Sequence, residues 1–136
     1  MSYRDEWYIE KRVAIQYLYG TVTIDDAEAS RNGMVKFLED GTPLVHVLVD
    51  VTGIEKFPTN LAALKHLIPN LDKDRMGWLI IYGAHNVFMR FMASTLAQLG
   101  MPGVRLRIFS TLDESLTFLQ GQDLSLGNLK SFGDTA

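Results

Sequence analysis

Asp50 and Thr52 stand at the end of the apolar run Leu44-Val45-His46-Val47-Leu48-Val49, and the chain's three histidines are His46, His66 and His85. An acid and an imidazole brought within hydrogen-bond reach can support general-base chemistry. His85 is the imidazole placed for that role. It follows the apolar run Trp78 to Tyr82, so a fold that lays the two runs side by side brings it to the end that holds Asp50 and Thr59. His46 lies inside its own apolar run and reads as a hydrogen-bonded core residue, while His66 falls on the polar face of a helical pattern. The other marks of catalysis are missing. The chain has no serine-nucleophile motif, no His-x-x-x-His metal spacing and no phosphate-binding glycine loop. It has no cysteine, which excludes a thiolate nucleophile, a zinc–thiolate site and a disulfide framework. The pattern points to binding without catalysis and without a cofactor, and the enzymatic alternative rests on His85 near Asp50.

The elements that must position these residues can be read in order. Trp7 to Ile9 and Val13 to Tyr19 are β-rich runs separated by Glu10-Lys11-Arg12, the pattern of a hairpin. Thr23, with Asp26 three residues on, opens a helix that runs to about Glu39. Ala27, Met34, Val35 and Leu38 form its inner stripe, and Gly41 and Pro43 end it. The run from Leu44 to Ile54 is too short and too rich in valine for a helix. It suits a central strand covered on both faces, with Asp50, Thr52 and Gly53 at its carboxyl end, where open α/β sheets place their sites. Leu61, Leu64, Leu67, Ile68 and Leu71 then mark one face of a further helix capped by Thr59 or Asn60.

The second half repeats the alternation. Trp78 to Tyr82 is a strand, and Asn86 begins a helix through Phe88, Met92, Leu96 and Leu99, stopped by Gly100 and Pro102. Val104, Leu106 and Ile108 alternate with Arg105, Arg107 and Ser110, as in a strand near the sheet edge with one covered face. Thr111, with Glu114, opens a short last helix through Leu116 and Leu119 that closes at Gly121. The reading is one domain over residues 1–121 and a polar, flexible tail over residues 122–136, with docking on a neighbour as the alternative for the tail. Phe88, Met89, Phe91 and Met92 are apolar around most of their helix. Long methionine side chains filling the gap between helix and sheet account for them, and the alternatives are a dimer surface or the wall of an apolar ligand pocket.

Composition sets the class. At 136 residues, 47% hydrophobic and 21% charged, the chain is ordinary globular material for a single core. Its net charge is −3 and it has no dense basic stripe, so nucleic acid is not an expected partner. The start Met1-Ser2-Tyr3-Arg4-Asp5-Glu6 is charged with no apolar core after it, and no stretch approaches the roughly 20 apolar residues of a membrane span. A cytoplasmic protein is expected.

The resulting order, β-β-α-β-α-β-α-β-α, is a mixed, mostly parallel sheet with helices packed on it. Over roughly Trp7 to Gln120 this order and the composition of each block resemble the STAS domains of anti-sigma factor antagonists, in their SpoIIAA-like branch, which also relates to the lipid-binding CRAL-TRIO fold. The matching segments are Leu18 to Thr23, Val47 to Ile54 and Thr111 to Leu116. Anti-sigma antagonists carry Asp-Ser-Ser-Gly at the turn into the second helix, where a kinase phosphorylates the second serine. Here those positions hold Pro58, Thr59, Asn60 and Leu61, so the acceptor hydroxyl is absent. Thr59 keeps a hydroxyl one position early, and its expected role is to cap the helix. The resemblance implies a bacterial regulatory or protein-interaction module without the kinase switch. The expected partner face is Asp50, Thr52, Phe57, Pro58, Thr59 and Asn60, with Phe57 as the apolar anchor. The alternative is an apolar-ligand or lipid-binding module with a pocket at Leu61, His85, Phe88 and Met92.

Overall fold

The structure, a computed structural model, describes residues 3–56, 74–84, 90, 94 and 105–127. Its centre is a five-stranded sheet in the spatial order of the sequence. The strands are β1 (Tyr3–Ile9), β2 (Val13–Thr21), β3 (Val45–Lys56), β4 (Met76–Tyr82) and β5 (Arg105–Phe109). β1 and β2 form the expected antiparallel hairpin, turned at Lys11, whose φ of 67° is left-handed, and closed by the Arg12 N–H donating to the Ile9 carbonyl at 3.0 Å. The β2–β3, β3–β4 and β4–β5 pairs are all parallel. The fold is therefore α/β with a mixed sheet. The helix read after Thr59 lies outside the described residues, His66 with it, and of the helix read from Asn86 only Arg90 and Ser94 are described, both helical; Phe88, Met89, Phe91 and Met92 are not among them.

β3 explains the architecture. Val45, His46, Val47 and Leu48 are at most 1% exposed, because parallel strands on either side and cover on both faces leave no solvated side. One face of the sheet carries Val45, Val47, Val49, Val51 and Leu79 against Met34 and Leu38 of α1 (Ile24–Asp40). The other carries Val13, Ile15, Leu48 and Ile80 against Leu116 and Leu119 of α2 (Leu112–Gln122).

Both helices start where their capping boxes place them. In α1 the Asp26 N–H donates to Thr23 Oγ1 at 3.1 Å and the Thr23 N–H to Asp26 Oδ2 at 3.0 Å. Thr111 and Glu114 repeat the arrangement in α2. Helix ends leave carbonyls unpaired, and α1 solves this with a distant cation. Arg75 donates from Nε to the Leu38 carbonyl at 2.6 Å and from Nη2 to the Gly41 carbonyl at 2.9 Å.

Some details differ from expectation: β1 begins at Tyr3 and β2 runs on to Thr21, where their pairing extends. β3 runs on to Lys56, because its last residues still pair with Tyr19, Gly20 and Thr21 of β2. Helix α2 passes through Gly121 to Gln122, since the Asp123 N–H still reaches the Leu119 carbonyl at 2.8 Å. The start of the polar tail is anchored, with Leu124–Leu126 forming a 3-10 turn capped by Asp123. In α1, Val35 packs half-buried against the core as expected, whereas Ala27 is only half-buried and Ser30 is buried.

Ser30 is buried because Gln16 of β2 faces it. Ser30 Oγ donates to Gln16 Oε1 at 2.9 Å, and Gln16 Nε2 donates to the Ser30 carbonyl at 2.8 Å. A fully satisfied polar pair in a core fixes how a helix sits on a sheet. Ser30→Ala leaves the Gln16 carbonyl oxygen buried without its donor, and the expected cost is about 1–3 kcal/mol in urea unfolding. Adding Gln16→Leu is expected to recover part of that loss, since no buried polar group then remains unpaired.

Candidate functional site

Two polar clusters lie on the α2 face of the sheet, one at each end of the parallel strands. The first is at the carboxyl end. Arg4, Tyr17, Asp50, Tyr82 and Phe109 are register partners in successive strands, so they form one row across the sheet. Neighbouring strands are about 4.8 Å apart, which sets side chains of such a row in contact. Tyr82 Oη donates to Asp50 Oδ2 at 3.0 Å, and the Thr52 N–H donates to Asp50 Oδ1 at 2.8 Å. The Arg4 guanidinium lies over the Tyr17 ring at 4.2 Å. Burial, then the charge and hydrogen bond of Asp50, hold the Tyr82 hydroxyl far above its ordinary value of 10.0. Tyr82 is therefore a fixed donor and does not become a phenolate nucleophile.

The end of β4 is fitted closely to this row. Gly83 has a φ of 87°, and a Cβ there would run into Thr52 Oγ1, so glycine is required on both counts. Just beyond, a cavity of about 280 Å³ is lined by Ala84, Arg90, Ser94, Ser110 and Glu114, among others. Arg90 Nε donates to the Ala84 carbonyl at 3.1 Å. The carboxyl end thus presents exposed Arg90, Ser94, Ser110 and Glu114 around a recess, with exposed Thr52 beside Gly83.

The second cluster is at the amino end of the strands, where His46 is 1% exposed and uses both ring nitrogens. The Trp78 N–H donates to Nδ1 at 2.9 Å, and Nε2 lies 2.9 Å from Asp123 Oδ2. An amide N–H can only donate, so Nδ1 carries no proton and the neutral ring donates from Nε2 to Asp123. Asp123 Oδ2 also accepts from Arg12 Nη2 at 2.7 Å, and its Oδ1 accepts from the Ser125 N–H at 3.1 Å. Arg12 then reaches Ser125 Oγ at 3.0 Å and the Leu44 carbonyl at 3.3 Å. His46 is the hydrogen-bonded core residue expected of it, and it has no lone pair to offer a substrate.

Of the residues expected at a site, Asp50 and Thr52 are brought together at the carboxyl end, as the strand reading placed them. Phe57, Pro58, Thr59 and Asn60 lie outside the described residues, as do Leu61, His85, Phe88 and Met92. Spacing along the chain does not show the contact of Asp50 with Tyr82 or the particular partners of Asp123, a residue in a stretch whose composition reads as tail. A signal for the second existed, since a histidine inside an apolar strand needs partners for both nitrogens. Among the described residues no group of three or more acids, histidines or cysteines could hold a metal ion, and no helix is long and apolar enough to cross a membrane. No family model and no curated protein matches the chain.

The amino-end cluster makes stability depend on acid. Burial first, then Arg12 and Arg105, lower the His46 pKa from 6.5, against the opposing pull of Asp123. Burial works against ionisation of Asp123, but hydrogen bonds from His46 and Ser125 and the Arg12 charge outweigh it and hold that carboxyl at about 2, below the usual 3.8. Both groups bind protons more readily when unfolded, so stability falls as pH falls. Urea unfolding is expected to show full stability above pH 6.5, a first loss as pH drops below 6.5, and a second between 3.8 and about 2. Asp123→Asn is expected to abolish the second loss and to lower stability at pH 7, because the Arg12 ion pair is gone.

Proposed function

We propose that the chain is a cytoplasmic STAS-like module of the SpoIIAA-like kind that binds a protein partner, without catalysis, at the carboxyl end of its parallel strands. The observation that carries this reading is the state of Asp50. Both of its carboxylate oxygens accept hydrogen bonds from the protein itself, one from the Thr52 N–H and one from Tyr82 Oη. Each oxygen keeps a second lone pair, but the two bonds fix the carboxylate in place, so Asp50 serves as a rigid floor beneath an exposed surface. That surface includes Thr52, Arg90, Ser110 and Glu114, and the segment Phe57 to Asn60 follows β3 directly in the chain. In this reading Phe57 supplies the apolar anchor and Thr59 and Asn60 the polar rim, as in interfaces where one buried aromatic carries much of the energy. The kinase switch of the anti-sigma antagonists does not carry over, because Pro58-Thr59-Asn60-Leu61 lacks their acceptor serine.

The strand arrangement is compatible with this assignment, with an antiparallel hairpin followed by parallel strands and a helix after β2 and after β5. Affinity capture from the source cells, followed by protein mass spectrometry, tests the proposal. The expected result is a bound polypeptide that is lost with Thr52→Arg and weakened at least about tenfold with Phe57→Ala, the scale of a single hot-spot residue. Undiminished capture by a folded Phe57→Ala variant contradicts the partner face. A small apolar molecule found in the native mass spectrum in place of a polypeptide contradicts it in favour of the lipid-binding alternative.

A further inference from the structure

We propose that the cleft at the amino end of the strands, opposite the partner surface, binds a small monocarboxylate with an apolar body. The cleft has a volume of about 440 Å³ and is lined by Leu44, His46, Trp78, Arg105, Gln122 and Asp123. That volume lies within the range of about 300–1,000 Å³ typical of small-molecule sites. Its walls divide by chemistry. Leu44, 37% exposed, and half-buried Trp78 make the apolar side. The Trp78 ring is held by an edge-to-face contact with Phe118, centroids 4.7 Å apart, so it is a fixed wall.

Arg105 supplies the charge. Its Nε donates to the Gly77 carbonyl at 3.4 Å and its Nη2 to the Met76 carbonyl at 3.2 Å, so the guanidinium is oriented by backbone before any ligand arrives. Among the described residues it forms no ion pair with a carboxylate. Asp123 does not compete for it, because Arg12 already balances that carboxylate at 2.7 Å. With His46 neutral, the lining and its immediate partners carry two guanidinium charges against one carboxylate. The cleft is left with one unbalanced positive charge, which favours a monoanion over a neutral or cationic molecule. A guanidinium fork fits a carboxylate, and holding it in place beforehand lowers the cost of ordering it on binding. Gln122 offers an amide donor at the rim.

Titration of ¹⁵N-labelled protein at pH 7 with benzoate and with octanoate tests the site, using benzyl alcohol and benzylammonium as the neutral and cationic counterparts. The resonances to follow are the Trp78 indole N–H and Arg105 Nε–H. The expected result is a saturable shift of both with at least one carboxylate, and binding of the alcohol and the ammonium weaker by about tenfold or more, the scale of one charge-assisted hydrogen bond. Arg105→Gln is expected to weaken carboxylate binding by a similar factor, Arg105→Lys to restore part of it, and Arg107→Gln, on the same strand over Phe118, to leave it unchanged. No saturable shift at about 10 mM of either carboxylate overturns the proposal. So does equal binding of the neutral counterpart. The comparison among ligands uses the unaltered protein, so it decides the matter even if Arg105→Gln fails to fold.

Discussion

The contact on which the rest of the structure depends is the one between Asp123 and His46. β3 is buried on both faces, and an imidazole in such a strand must have partners for both nitrogens or carry a large desolvation cost. The parallel neighbour β4 supplies one through the Trp78 N–H. The other comes from Asp123, which stands 77 positions away, just past α2. A carboxylate taken into that position needs a cation, and Arg12, at the start of β2, provides it. One chain of bonds thus ties β2, β3, β4 and the end of α2 together at the amino end of the sheet. A Cβ at Gly77 would overlap the His46 ring, so the strand beside the imidazole has glycine where the ring lies.

The two ends of the sheet share a logic. At each, an acid on the α2 face of the sheet is held by hydrogen bonds from the protein, Asp50 by Thr52 and Tyr82, and Asp123 by Arg12, His46 and Ser125. Groups held in this way keep a fixed shape at either end of the sheet. The ends differ in what surrounds the acid. The carboxyl end offers exposed polar side chains around a modest recess, whereas the amino end offers a larger cleft with an apolar wall and an unbalanced guanidinium. That contrast is why the two ends are assigned different kinds of partner.

What could be read from the chain follows from how far apart the interacting residues are. The hairpin, α1, the buried third strand and both capping boxes are written in neighbouring residues: Thr23 with Asp26, Thr111 with Glu114, and the valines before Asp50. The placement of Asp50 with Thr52 followed from the same local pattern. The row from Arg4 to Phe109 depends on register between strands, which residue spacing along one strand does not set. Arg75 capping α1 from 37 positions beyond Leu38, and Asp123 pairing with Arg12 across 111 positions, are long-range bonds of the same sort. Composition misled at residues 122–127 for a physical reason. Polar residues usually stay in solvent, but a buried histidine and an arginine give this aspartate a better place.

Among the described residues, His46 is the titratable group held most completely by the protein, with both ring nitrogens bonded. Long-range ¹H–¹⁵N NMR of the imidazole through a pH titration reads protonation and tautomer at once. The expected result is a neutral ring protonated at Nε2 at pH 7, with Nδ1 bare and a titration midpoint below 6.5. A ring that titrates at 6.5 or above, or one protonated at Nδ1, would contradict it.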